Sequence, residues 1–215
     1  MNCPLCYSTS FAPIVHTVYS QCSHCEGILR DRDSWLTSEQ EKKRYSLHRY
    51  NPSNDGYYNF VQPLSSYILK NFKSSQRGLD WGCGNTPVLA TFLRNQGMTV
   101  SYYDPFFFNN KSVLNQSYDY IYACEVIEHF HSPAQELDNM CKMLKPEASF
   151  LIMTHVYTPQ RCGPFEQWYY KNDPTHVFIY TPKTLNYIAQ KWGFIYLYQS
   201  DRLNVFRKAK LPFNA

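Results

Sequence analysis

Four of the eight cysteines fall in two tight pairs, Cys3-Pro4-Leu5-Cys6 and Cys22-Ser23-His24-Cys25, with 15 residues between them. Two turns that each present two thiolates at this spacing can close a tetrahedron around zinc, and four sulfurs leave no open coordination position for catalysis. The expectation is a structural zinc ion on Cys3, Cys6, Cys22 and Cys25, which replaces a core too small to fold alone. The segment Ile14 to Tyr19 between the pairs reads as a short strand, so residues 1–30 read as a zinc ribbon, with His16 and His24 as surface or supporting histidines. The pairing of half the cysteines favours free thiols in a reducing compartment over disulfides.

A chain of 215 residues suits one ordinary domain plus a small appendage. No apolar run reaches the ~18 to 20 residues that span a bilayer. The start lacks the charged-then-apolar order of a signal peptide, so a cytoplasmic protein with no membrane partner is expected. The formal charge of +4 divides evenly, +2 over residues 1–75 and +2 over residues 76–215. An even spread is a poor footprint for nucleic acid, which usually meets cations clustered on one face.

Residues 31–76 read as a helical connector. Thr37 and Ser38 each have a Gln or Glu three places on, Gln40 and Glu41, the pattern of a capping box, and the charged run behind them reads as a solvated face. Lys42, Lys43, Arg44 and Arg49 form a small basic patch within it. A polar turn at Asn51 to Gly56 interrupts the helix, and Phe60, Val61, Leu64, Ile68, Leu69 and Phe72 then recur near a helical period, marking a second helix that packs on the main domain.

From residue 77 strand-like and helix-like segments alternate, which predicts an α/β domain with a largely parallel sheet. Its first strand runs into Asp80-Trp81-Gly82-Cys83-Gly84-Asn85-Thr86-Pro87, a glycine turn followed by a helix expected to be capped by Thr86 with Pro87 at its first position. Gly82 and Gly84 allow torsions that other residues resist and let a ligand approach the main chain. The next strand ends in Asp104-Pro105, about 20 positions after the glycine turn, where dinucleotide-type folds hydrogen-bond a ribose diol.

Together these residues resemble class I S-adenosylmethionine-dependent methyltransferases. Leu79-Asp80-Trp81-Gly82-Cys83-Gly84 is similar to their first motif, and Tyr118 to Phe130, with Glu125-Val126-Ile127-Glu128-His129, resembles their fourth strand and the loop after it. Thr175 to Pro182 is similar to the segment before their last crossover helix, and the resemblance covers roughly residues 77–208. It implies a Rossmann-like methyltransferase sheet with an antiparallel last strand. It further implies Asp80, Gly82 and Gly84 around the methionine part of S-adenosylmethionine, Asp104 with Pro105 at the ribose, and Cys124 and Glu125 in the pocket wall. Only 13 residues, Pro105 to Ser117, separate the second strand from the fourth, so the third strand is expected to be missing, with Phe106, Phe107 and Phe108 available to stack on adenine.

Methyl transfer from a sulfonium requires alignment and exclusion of water, and a hydroxyl or amide acceptor must also lose a proton. His129, beside Glu125 and Glu128, and His176 are the expected bases, with His155 a further candidate. The aromatic segment 156–175 could line an acceptor site or form a lid. A small-molecule acceptor is the leading expectation. A second reading is an RNA methyltransferase, since the cysteine knuckle followed by Asp55 to Phe60 faintly resembles the front end of ribosomal RNA guanine methyltransferases. A third is a zinc-ribbon interaction protein that binds the cofactor without catalysis.

Overall fold

The computed structural model describes residues 2–47, 55–200 and 202–210. Its elements are β1 (Phe11–Pro13), β2 (Tyr19–Cys22), β3 (Ile28–Arg30), α1 (Ser38–Ser46), α2 (Asp55–Asn71), β4 (Arg77–Trp81), α3 (Val88–Asn95), β5 (Thr99–Tyr103), β6 (Tyr118–Cys124), α4 (Pro133–Met143), β7 (Leu144–Met153), α5 (Pro159–Cys162), β8 (Phe178–Ile179), α6 (Pro182–Lys191), β9 (Phe194–Gln199) and β10 (Leu203–Lys208).

Six strands form the main sheet in the order β5-β4-β6-β7-β10-β9. The first four are parallel, and β10 enters antiparallel between β7 and β9. This is the expected α/β sheet. Between β5 and β6 the chain makes an isolated bridge, Asp104 to Phe108, and a 3-10 turn, Lys111–Asn115, so the third strand of the usual pattern is absent, as the short spacing predicts. The alternation of side chains along a strand divides the core in two. Ile121, Ala123, Phe150 and Ile152 face α4 and α6, whereas Tyr120, Tyr122, Leu151 and Met153 face α2 and α3, where Val61, Leu64, Ile68, Leu89 and Leu93 pack.

The second sheet is small and antiparallel, β1-β2-β3-β8, and its fourth strand comes from the α/β half of the chain, ahead of α6. A side chain at Gly27 would strike the Phe178 ring at 2.3 Å, so glycine allows the two segments to close. Cys3, Cys22 and Cys25 are buried in one cluster with Leu29, Phe178, Tyr180 and Leu185.

Several local expectations need correction. Ile14 to Tyr19 is mostly a hairpin turn, with only Tyr19 in a strand. The register Phe11↔Cys22 and Pro13↔Ser20 sets Val15 at an exposed tip and His16 at φ 60°, so β-branched composition there reflects no ladder. The helix after the glycine turn begins at Val88 with Pro87 as its N-cap and no side-chain cap, in place of Thr86. The capping box of Thr37 with Gln40 forms as expected. Most of the Asn51 to Gly56 turn lies outside the described residues, while Asp55 and Gly56 already belong to α2.

Candidate active site

The carboxyl ends of β4, β5 and β6 open into a cavity of about 860 Å³, at the crevice where open parallel sheets take ligands. At one end is the turn after β4, where Gly82 and Gly84 have φ of +81° and +70°. A Cβ on Gly82 would come within 2.5 Å of Val126, whereas one on Gly84 would meet nothing within 4 Å. Bare main chain therefore faces open space, which suits close approach by a cofactor.

Two carboxyl groups flank this turn. Burial pushes Asp80 up to about 7, and the nearby Asp104 charge adds to the rise. One Asp104 oxygen accepts the Gly84 N–H at 3.0 Å, and the other accepts the N–H groups of Phe106 and Phe107 at 2.9 and 3.1 Å. Asp104 thus fastens the β5 loop to the glycine turn and also lines the cavity. Phe106 and Phe107 line it too, whereas Phe108 packs its ring on Tyr102 at 5.1 Å between centroids.

Cys124 and Glu125 follow β6 into the cavity wall. Burial raises the Cys124 thiol, which keeps it protonated, and burial with the Glu128 charge pushes Glu125 up to about 7 against the pull of Arg202 at 3.0 Å. Glu125 occupies the left-handed region at φ 52°, a strained conformation for a non-glycine residue of the kind found at functional sites.

The cavity is also lined by His129 and His176, whose rings lie 4.9 Å apart between centroids. Nδ1 of His129 is 2.9 Å from the Thr175 carbonyl oxygen, and Nδ1 of His176 is 2.7 Å from that of Tyr170. A carbonyl only accepts, so both Nδ1 atoms bear hydrogen and the lone pair of each neutral ring sits on Nε2. Burial lowers the His176 pKa, which favours that neutral form. Glu128 lies fully buried beside them, accepting from Thr154 Oγ1 at 2.9 Å and from the Tyr170 hydroxyl.

Asp80, Gly82, Gly84, Asp104, Pro105, Cys124, Glu125, His129 and His176 all line this one cavity. His155 instead packs against Tyr169 and Tyr170 and is not among the lining residues. The aromatic segment 156–175 differs from expectation: Tyr157, Phe165, Trp168 and Tyr170 are buried with Tyr19 and Ile28 of the small sheet, and only Asp173 of the segment lines the cavity. Sequence reasoning missed the wall made by α1 and α2, with Glu41, Tyr45, Tyr57 and Phe60. Tyr45 meets Phe106 and His129 at 5.9 and 5.5 Å between centroids, and a tyrosine within a charged helical run was its sole local sign. In the basic patch, Arg44 is bound to Asp173 at 2.8 Å, and Arg49 lies outside the described residues.

Residues 54–199, more than half of the chain, match the family model described as a methyltransferase domain. The chain belongs to that methyltransferase family. No curated protein matches the sequence of this methyltransferase. Its fold is similar to that of an O-methyltransferase family protein from Burkholderia thailandensis, with TM-score 0.58 and 13% identity over 83% of this chain and 65% of that one. It is also similar to 1,6-didemethyltoxoflavin-N1-methyltransferase from the same organism, solved with 1,6-didemethyltoxoflavin and S-adenosylhomocysteine, with TM-score 0.53 and 15% identity over 88% and 98% of the two chains. Human N-acetylserotonin methyltransferase in complex with SAM gives TM-score 0.50 and 15% identity over 70% of this chain and 55% of that enzyme. This methyltransferase therefore spans little more than half of the human enzyme and just under two thirds of the first Burkholderia protein, and at these identities the likeness is one of fold.

Proposed function

We propose that this methyltransferase moves a methyl group from S-adenosylmethionine to a small-molecule hydroxyl or amine, and that Cys3, Cys6, Cys22 and Cys25 hold a structural zinc ion. The observation that carries the first part is a single cavity lined by a glycine turn, two carboxyl groups and two tautomer-fixed histidines. Asp80, Gly82 and Gly84 would surround the methionine part of the cofactor, Asp104 and Pro105 the ribose, and Cys124 and Glu125 the adjoining wall. Phe106 and Phe107 supply the apolar surface near the adenine in place of a third strand. When bound, the sulfonium offers a methyl carbon to the acceptor's lone pair, and the acceptor's proton has to leave as the new bond forms. His129 and His176 are the groups that ease that proton away, while Tyr45 and Phe60 help exclude water.

For zinc, the sulfur pairs Cys3–Cys25 and Cys6–Cys22 are 3.7 and 3.5 Å apart. Tetrahedral zinc with bonds of about 2.3 Å sets its sulfurs about 3.8 Å apart, so the donor set fits.

Titration calorimetry of the zinc-loaded protein with S-adenosylmethionine tests the reading. Micromolar one-to-one binding that weakens by roughly ten- to a hundredfold in Asp104→Ala is expected, the cost of losing hydrogen bonds to a charged group. No binding by folded protein would overturn it in favour of an interaction module. Methyl acceptance by RNA with a steep salt dependence, and by no metabolite, would overturn the small-molecule assignment.

A further inference from the structure

Glu128, His129 and His176 each offer a ligand atom, and the three atoms lie within 4.8 Å of one another. Their surroundings are those of metal ligands. Each histidine commits its Nδ1 hydrogen to a main-chain carbonyl, and both oxygens of Glu128 are held by hydroxyl groups, Thr154 and Tyr170. Such outer contacts orient metal-binding imidazoles, fix their tautomer and raise their basicity, and they steady a ligating carboxylate in the same way. Charge points the same way. Glu128 is completely buried, and among the described residues no lysine or arginine pairs with it, since the neighbouring Arg202 is bound to Glu125 at 3.0 Å. Buried carboxylates are ordinarily paired with a cation or bound to a metal.

We propose that Glu128, His129 and His176 form a divalent-cation site at the wall of the cavity, with the two histidines lining it and Glu128 buried beside them, and that the acceptor presents two neighbouring oxygens, at least one a hydroxyl, to that cation. Two His and one carboxylate leave coordination positions open. Two metal–ligand bonds of about 2.1 Å at angles near 90–110° set their ligand atoms about 3.0–3.4 Å apart, so the three groups, which lie within 4.8 Å of one another, draw together on binding. His129 ends a 3-10 turn and His176 lies in a loop just ahead of β8, so neither adjustment disturbs the main sheet. The open positions are neighbours, and an acceptor that fills two of them displaces water more readily than a lone alcohol. Coordination lowers the hydroxyl's pKa, so its proton leaves to water and the oxygen keeps the lone pair that attacks the methyl group. This inference rests on the methyl-transfer reading, and it makes the histidines holders of the cation that eases the proton away.

Manganese(II) is a suitable probe because it prefers nitrogen and oxygen ligands and leaves thiolate sites to zinc. The experiment titrates the full zinc-loaded chain with Mn²⁺, followed by electron paramagnetic resonance, for the wild type and for Glu128→Gln, His129→Asn and His176→Asn. S-adenosylmethionine calorimetry on the same samples serves as the control. The expected result is one Mn²⁺ per chain, at least tenfold weaker in each variant that still binds S-adenosylmethionine, with a spectrum that catechol perturbs and phenol does not. If Glu128→Gln does not fold, the two histidine variants, altered at the cavity wall, decide the matter. Absent Mn²⁺ binding, or binding unchanged in the histidine variants, overturns the cation site while intact S-adenosylmethionine binding leaves the methyl-transfer reading standing. Equal perturbation by catechol and phenol overturns the two-oxygen acceptor. Failure of the wild type to bind S-adenosylmethionine overturns the underlying reading instead.

Discussion

The main sheet buries its central strands on both faces, with Tyr120, Ile121, Tyr122 and Ala123 of β6 wholly shielded, whereas the small sheet is built from strands of two to four residues and leaves Val15 67% exposed. Buried apolar area holds the first together. The second has shorter strands and divides its apolar contacts between the cysteine cluster, with Leu29 and Phe178, and the aromatic cluster, with Tyr19, Ile28 and Ile179. The small sheet is not separate from the main one. Strand β3 pairs with β8, and the Tyr19 hydroxyl donates to the His176 carbonyl at 2.8 Å. The small sheet is thus hydrogen-bonded to a histidine of the cavity, a link through which loss of order in the cysteine module would reach it.

The largest expected effect tests that transmission. Cys25→Ser should abolish zinc binding and cost upwards of about 4 kcal/mol in urea unfolding, since loss of a structural metal is among the causes of exceptionally large losses. It should also broaden the NMR signals of the His176 ring. An unchanged His176 signal would break the link and leave two independent units. Gly82→Ala strikes the main sheet instead, forcing a side chain to φ +81° and against Val126. A cost of about 1–3 kcal/mol is expected, with the protein still folded because the sheet's area carries it, and with most of the S-adenosylmethionine affinity gone.

A smaller effect comes from pH. Asp80 is raised to about 7, so it is neutral below that value and becomes a carboxylate above it. Affinity for the cationic cofactor should therefore strengthen by up to about tenfold between about pH 6 and 8, and calorimetry on Asp80→Asn should give a flatter profile. The smallest effect joins α1 to the aromatic segment. Burial acts to raise Asp173, but Arg44 and the Thr175 hydrogen bonds outweigh it and hold the carboxyl well below the usual range. A depressed carboxyl contributes stability above the unfolded value of about 3.9 that is lost as pH falls through the lower folded one. Since Arg44 is 40% exposed, Arg44→Ala should cost no more than about 1 kcal/mol near neutrality, and less still in acid unfolding.

Much of the proposed cofactor site was legible because its signals are local. A strand, two glycines and an acid at the next strand's end lie within about 25 residues of each other, and the short spacing before β6 correctly predicted a missing strand. Errors arose where composition stood in for pairing. The run Ile14 to Tyr19 has strand-like residues but falls at a hairpin tip, and the aromatics of 156–175 look like a binding surface but fill a core against Tyr19 and Ile28.

The sequence by itself determined the parallel sheet, the glycine turn and the pairing of the four cysteines, because periodicity and turn chemistry act between residues a few positions apart. Only the tertiary structure decided that β8 completes the small sheet, that Tyr45 walls the cavity, and that Glu128 and His129 meet His176. Those contacts join segments far apart in the chain, and they follow from how the two sheets pack, which no local pattern specifies.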